Sequence, residues 1–576
     1  MAQTNVSLEN GVTAIAGLSR RWIAVAIGSL VLLNFLALST YQHYIAGDFP
    51  FQDEIGYVYR LFQLRDNGFD QYLFTAYGHY YMPTQLFIWY LFYKLTHLNI
   101  MAIRYTGAAV SALTALLFCT MLYRRAAARN WLTFSAIAVV PFVICSYNHW
   151  ATYNQSIESV IEPLVLCLVL TLASFAQKTI LAFSDRTNPG IPLVWTAGFV
   201  VLWLIAAGAG PTPIILPVAM LVAYILLERK VNVGLFLFGV FAVAAPAVYV
   251  IKGQGLHQEM AASPSALGNG LVGNSIEASV ALVGNSLYSP HDVAGEKLTL
   301  IFGSLIILPL ITYVVYALRL PREQRSPFFL PLTLTLFSAF VLVEILGARI
   351  NSPNVGFTPR YSIVALTAVL SLIAWVVTAV NRSAWRALLG GCSLVVIAVA
   401  VAVADAQTVH ALPLMKAALA RDRETFVSLR GEPNPQQQRI MFINAPLLDD
   451  VYPDLLFLQQ ERLAMYAEAD APPIPPSQAL QLLIVRHGPV IVRARTPFNV
   501  RPSGMSAMWL RLNRPVSGTI SVVINGVRVH GFHRDDVVTL EVPPNLYRKA
   551  GAYPMYVIEN DDGHSTRSDT VLFLVQ

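Results

Sequence analysis

At 576 residues, with a mean hydropathy of +0.55 and only 12% charged residues, the chain cannot be an ordinary soluble globular protein. The formal charge of +6 does not point to nucleic acid, because Lys and Arg sit in short connections between apolar runs, without a basic stripe of interleaved aromatics. Cys119, Cys145, Cys167 and Cys392 all fall inside apolar runs and read as small buried hydrophobes, not as disulfide partners or a metal set.

A helix that crosses the hydrocarbon core needs roughly 20 mostly apolar residues, and fewer where neighbouring protein buries its ends. The first such run is Trp22 to Ile45; Arg20 and Arg21 precede it and no small-residue cleavage site follows, so it reads as a retained helix. The later runs are Ala102 to Tyr123, Trp131 to Cys145, Ile157 to Ala176, Pro192 to Ala207, Pro211 to Leu227 and Val233 to Ile251. Leu298 to Leu318, Phe328 to Leu346, Tyr361 to Val380 and Ala387 to Ala404 complete the set. The chain is thus expected to be a polytopic α-helical membrane protein of about eleven spans.

The run Tyr80 to Leu95 decides the orientation. Counted as a span, it would put Arg124, Arg125, Arg129, Arg229, Lys230, Arg319, Arg322 and Arg325 outside, against the positive-inside rule. Read as a helix on or dipping into the outer leaflet, it leaves those residues in the cytoplasm with Lys178, Arg186, Arg382 and Arg386. Residues 1–21 are then cytoplasmic, and the connections 46–100, 146–156, 252–297 and 347–360 are outside, with everything after Ala404.

Beyond Asp405 the apolar density falls. Residues 405–470 read as an extracytoplasmic α/β connecting segment, with a polar amphipathic helix around Lys416 to Glu424, a strand at Arg439 to Pro446 and then a second helix. A proline-rich linker, Ala471 to Pro476, leads into residues 477–576, where MWLRL, TISVVI, the turn pair Asn525-Gly526, VVTLEV and YPMYVIE predict a small β-sandwich. His530, His533 and His564 are scattered through it and form no catalytic set.

The chemistry gathers in the first outer loop. If Asp53 to Arg65 is helical, Asp53, Tyr57 and Arg60 share one face, and Glu54 points about 100° away. Such an acidic pair can cap a helix N-terminus, and it can equally take a proton from a hydroxyl. Further along, Gly78-His79-Tyr80-Tyr81-Met82-Pro83 opens the second apolar segment of the loop. The connection SYNHWATYNQSIES adds Asn148, His149, Trp150, Tyr153 and Glu158, a polar and aromatic set suited to sugar stacking or to an interfacial belt. Glu158 begins an apolar span, where a carboxylate is costly, and Glu162 and Glu344 are further acids within spans. Arg360 and Tyr361 stand before a late span, where they could meet a phosphate or anchor the helix at the interface.

A first span followed at once by Asp53-Glu54, a surface helix and then the His79-to-Pro83 segment resembles the GT-C superfamily of membrane glycosyltransferases. Protein O-mannosyltransferases and aminoarabinose transferases share that layout. The resemblance covers about Trp22 to Val380 in architecture, defining a domain of residues 22–404, and rests on the first loop and Arg360-Tyr361 in motif. In one respect the chain departs from it: the family's second motif often reads His-Pro-Pro or Lys-Pro-Pro, whereas Tyr80, Tyr81 and Met82 separate His79 from Pro83. The closing stretch from Leu546 to Val575 resembles the last strands of immunoglobulin-like domains of the TIG kind.

The resemblance implies a polyprenyl-phosphate-linked sugar as donor, a glycan, lipid or protein as acceptor, and transfer at the outer face of a bacterial inner membrane. It makes Asp53 the base, with Glu54 beside it, and Tyr57, His79, Tyr80, Tyr81, His149, Tyr153, Glu158, Arg360 and Tyr361 the substrate-binding set. No cofactor is required by the sequence, and a divalent metal stays open. The competing classes are a lipid or glycan transporter or flippase, which would want mid-membrane ionisable groups and an internal repeat, and a noncatalytic envelope assembly protein.

Overall fold

The computed structural model describes residues 20–45, 68–74, 82–126, 130–184, 190–228, 271–289, 293–349, 362–379, 383–428 and most of 482–576, with scattered positions in 57–64, 236–247 and 458–464. Two compact units emerge: residues 1–54 with 67–421, and residues 55–66 with 422–576.

The first unit is helical. In chain order its helices are α1 (Arg20–Ile45), α2 (Phe69–Phe74), α3 (Pro83–Thr96), α4 (Ile100–Arg125), α5 (Trp131–Ile144), α6 (Trp150–Asn154), α7 (Ser156–Ser184) and α8 (Gly190–Ala209). There follow α9 (Leu216–Glu228), α10 (Leu271–Asn285), α11 (Val293–Arg319), α12 (Phe329–Arg349), α13 (Ser362–Ala379) and α14 (Ala384–Ser428). Among the described residues, seven stretches are long and apolar enough to cross a membrane: Arg21–Ile45, Ile100–Arg125, Trp131–Asn154, Ser156–Ala176, Gly295–Arg319, Ser326–Leu346 and Ala384–Ala417. Thr196–Ala209, Thr212–Glu228 and Ala365–Ala379 are shorter apolar helices at three more of the expected spans. Most of the expected span Val233 to Ile251 lies outside the described residues.

Helix α3 has 14 residues, about 21 Å of helix against a hydrocarbon core of about 30 Å. Pro83 starts it, and His97 and Leu98, both at positive φ, turn the chain sharply into α4, whose first turn Asn99 caps through Ala102 N at 2.9 Å. Tyr72 on α2 donates to the Leu86 carbonyl of α3 at 2.8 Å, so the two first-loop helices are joined. The expected helix of Asp53 to Arg65 is helical at each described position, with Tyr57, Val58 and Leu61 buried.

Within the expected loop 252–297, residues 271–285 form helix α10, packed antiparallel along α11. Small residues make the approach close: a Cβ on Gly284 would collide with the Thr299 carbonyl, and one on Gly303 with the Val280 carbonyl. Gly284→Ala should therefore force the pair apart at a cost of about 1–3 kcal/mol, whereas Gly198→Ala on α8, with open space around it, should be neutral. Thermal unfolding in detergent checks both, and equal midpoints for the two variants would contradict the close crossing.

Helix α14 is one continuous element of 45 residues, about 67 Å long, running through Asp405 to Ser428. The expected strand at Arg439 to Pro446, the helix after it and the proline-rich linker lie outside the described residues.

Among its described residues, the second unit carries a nine-stranded sheet. Its strands are β1 (Ile484–Gly488), β2 (Ile491–Val492), β3 (Ser506–Leu512), β4 (Thr519–Ile524), β5 (Val527–Arg534), β6 (Val537–Val542), β7 (Gly551–Asp561), β8 (His564–Arg567) and β9 (Val571–Val575). Their order is β1-β3-β6-β5-β4-β7-β9-β2 with β8 on β7, and every pair is antiparallel except β2 with β9. The strands expected from alternation are present, linked in a single curled sheet around one core that includes Leu510, Val522, Leu540, Val557 and Phe573. Asn525 and Gly526, both at positive φ, make the two-residue turn between β4 and β5.

Burial pushes the imidazole of His487 on β1 down to about 4, against the upward pull of a hydrogen bond with the Pro489 backbone. The folded state therefore keeps this ring neutral where the unfolded chain, titrating near 6.5, already binds a proton. Its contribution is full above pH 6.5 and is lost as pH falls toward 4, with about 2 kcal/mol gone by pH 5. Calorimetric unfolding at pH 7.5 and 5.0 should show a larger acid loss in wild type than in His487→Gln; equal losses would contradict the assignment.

Candidate functional site

One dense polar network of the helical unit surrounds the connection between α5 and α7, at one end of those helices. After Cys145 the chain makes a 3-10 turn, Tyr147–His149, and then the short α6. Ser146 starts the turn, its hydroxyl accepting from Asn148 N at 3.1 Å and donating to Asp405 Oδ1 of α14 at 2.7 Å. Tyr147 N donates to the same carboxylate oxygen at 2.7 Å. A residue 259 positions away in sequence thus caps this turn from outside, satisfying donors that the turn cannot satisfy itself.

Neighbouring side chains extend the network. Asn148 donates to the Asn285 carbonyl at the end of α10 at 2.8 Å and accepts from Ser289 N at 2.6 Å. His149 is fully buried, its Nδ1 at 2.8 Å from the Ser362 hydroxyl of α13 and its Nε2 at 3.1 Å from the Val143 carbonyl of α5. Tyr153, equally buried, donates to the Ile144 carbonyl at 2.8 Å. The buried Arg104 of α4 donates to the Asn154 carbonyl at 2.8 Å. Tyr41 near the end of α1 stacks on Tyr147 with ring centroids 4.7 Å apart, and His43 pairs with the Tyr105 hydroxyl at 2.9 Å. Helices α1, α4, α5, α13 and α14, together with α10, are thereby tied through one eleven-residue stretch, 145–155.

Glu158 stands on the first turn of α7, half-buried, and accepts a 3.3 Å hydrogen bond from Gln85 of α3. Gln85 lies two residues beyond Pro83, on the helix that Pro83 starts, so the helix that continues the first-loop motif meets this carboxylate. Glu162, one turn further along α7, is also half-buried. Glu344 on α12 is half-buried, with its Oε2 buried and without a hydrogen-bond partner.

Basic groups occupy the opposite helix ends. Arg125 closes α4 and donates to the Ser174 carbonyl of α7 at 2.6 Å. Arg325, buried, donates to the carbonyls of Leu320 at 2.7 Å and Leu318 at 2.8 Å, which the end of α11 leaves unpaired. Arg386 at the start of α14 lies 3.7 Å over the Tyr316 ring.

Of the residues singled out in the sequence, His149 and Tyr153 therefore sit inside the helix-tying network and Glu158 at its edge beside Gln85. Tyr57 is buried in the other compact unit. Asp53, Glu54, His79, Tyr80, Tyr81, Arg360 and Tyr361 lie outside the described residues. Asp405, Arg104 and Gln85 were not singled out as site residues; an Asp within an otherwise apolar helix and an Arg four residues into a span were the available signals. Among the described residues, no three of His, Cys, Asp and Glu come together as a metal-binding set. Neither a protein-family model nor a curated protein matches the chain.

Proposed function

We propose that this protein is a membrane glycosyltransferase of the GT-C kind, which moves a sugar from a polyprenyl-phosphate donor to an acceptor at the outer face of the membrane. Asp53 takes the proton of the acceptor hydroxyl as its oxygen attacks the anomeric carbon. The bond from that carbon to the phosphate oxygen breaks, and polyprenyl phosphate leaves with its charge met by Arg360 and Tyr361. Glu54 orients the acceptor, and Glu158 holds the α3 end of the first loop through Gln85. The protein is then an integral protein of a bacterial inner membrane with an outward C-terminal unit, an immunoglobulin-like module.

The observation that carries this reading is the Gln85–Glu158 bond. It ties the helix continuing the first-loop motif to the polar end of the bundle, while Arg125, Arg325 and Arg386 mark the other end, as an inward basic face requires. A second reading, a noncatalytic envelope assembly protein, draws on the grouping of residues 55–66 of the same loop with the C-terminal unit. Purified protein incubated with polyprenyl-phosphate-linked hexoses, pentoses and aminosugars, together with a cell-envelope extract as acceptor, separates the two. Release of free polyprenyl phosphate from at least one donor is expected, and release from none would favour assembly.

A further inference from the structure

Strand β5 presents a face unlike the rest of the sheet. Arg528, His530, Phe532 and Arg534 alternate along it and so point to the same side, and all four are exposed. Phe532 is 57% exposed, and the His530 ring meets its edge at 4.8 Å between centroids and 84° between planes. The register sets Phe532 opposite Thr539 on β6, and Thr539 opposite the half-buried Trp509 on β3. Two aromatic rings thus stand in one row across three strands, about 10 Å apart, with a hydroxyl between them.

The sheet's ion pairs among the described residues are Arg511 with Asp536 and Arg514 with Glu559, and neither Arg528 nor Arg534 takes part in one. A lone exposed Phe is ordinary, but one flanked by two guanidinium groups that form no ion pair among the described residues, in a row with a hydroxyl and a second ring, is a recognition surface of defined chemistry. Guanidinium groups bind carboxylate or phosphate bidentately, and aromatic faces stack on the C–H faces of sugar rings while hydroxyls exchange hydrogen bonds. A bilayer would want a broader apolar wedge than one phenyl ring flanked by polar groups.

We propose that this face binds a carboxylate-bearing carbohydrate chain, with Arg528 and Arg534 on its acidic groups and Phe532 and Trp509 against its rings. The proposal rests on the sheet alone and stands or falls independently of the transferase reading. Its test is calorimetric titration of the full-length protein in neutral detergent with oligogalacturonate, with neutral maltooligosaccharide as control and phosphatidylglycerol vesicles as the lipid arm. Oligogalacturonate should bind, and more weakly as salt rises. The double variant Arg528→Ala/Arg534→Ala should lose about tenfold or more in affinity. Phe532→Ala should weaken binding with the salt dependence unchanged, and all variants should keep the wild-type unfolding midpoint, because these side chains are exposed. Absence of oligogalacturonate binding, or equal affinity in the double variant, would overturn the proposal. So would binding confined to the vesicles and lost in that variant, which would make the face a lipid contact.

Discussion

Asp405→Ala is expected to lower stability by about 3 kcal/mol, because it strips the acceptor from two donors at once, the hydroxyl of buried Ser146 and the N–H of half-buried Tyr147. Each bond is 2.7 Å long, and hydrogen bonds to a charged group are each worth about 1.5–3 kcal/mol. The loss should spread, since the turn that Asp405 caps also presents Asn148 to α10 and His149 to α13. Asp405→Asn keeps an oxygen in the same place and should retain most of the stability. Thermal unfolding in detergent, with yield of folded protein as a second readout, measures both. If Asp405→Ala melted with wild type, the cap across 259 residues would carry no weight in the fold.

Activity should depend most on the first loop. Asp53→Asn is expected to slow sugar transfer about 100- to 10,000-fold, the range for losing a general base. Glu54→Gln should act mainly on the acceptor KM, because on a helix its side chain points about 100° from that of Asp53. The comparison is made on consumption of the lipid-linked donor at saturating acceptor and then across an acceptor series. The reverse pattern would move the base to Glu54, and unchanged turnover in both variants would remove the first-loop carboxylates from the chemistry.

Much of the architecture could be read from the chain because a membrane helix is specified by composition over about 20 residues, a signal that survives ignorance of the partners. The seven long apolar helices all fall on expected spans. Alternation also exposed β3, β4, β6 and β7, and the Asn525-Gly526 pair marked their sharpest turn. Strand β5 escaped this reading because Arg528, His530 and Arg534 dominate its sequence, and its inward side is only Val529 and Gly531.

Other features depended on contacts that no local pattern encodes. Asp405 reads as the end of a span because a carboxylate is costly in apolar surroundings; in the structure the helix runs on past it, and a turn far away in sequence supplies the carboxylate with donors. The glycines and serines of residues 271–285 read as loop, since glycine is a poor helix former, yet Gly284 is what lets α10 lie against α11. Asn148, His149 and Tyr153 offered polar and aromatic groups without saying what they would meet. In the fold they meet the carbonyls and hydroxyls of neighbouring helix ends.

The proposed chemistry requires that the first loop, the polar end of the bundle and the C-terminal unit share the outer face. A single cysteine replacing Ser263, between α9 and α10, in a chain whose exposed Cys392 is changed to Ser, reports on that directly. Labelling of intact cells by a membrane-impermeant maleimide is the predicted result. Labelling only after the cytoplasmic side is opened would contradict the orientation, and the outer-face transferase with it.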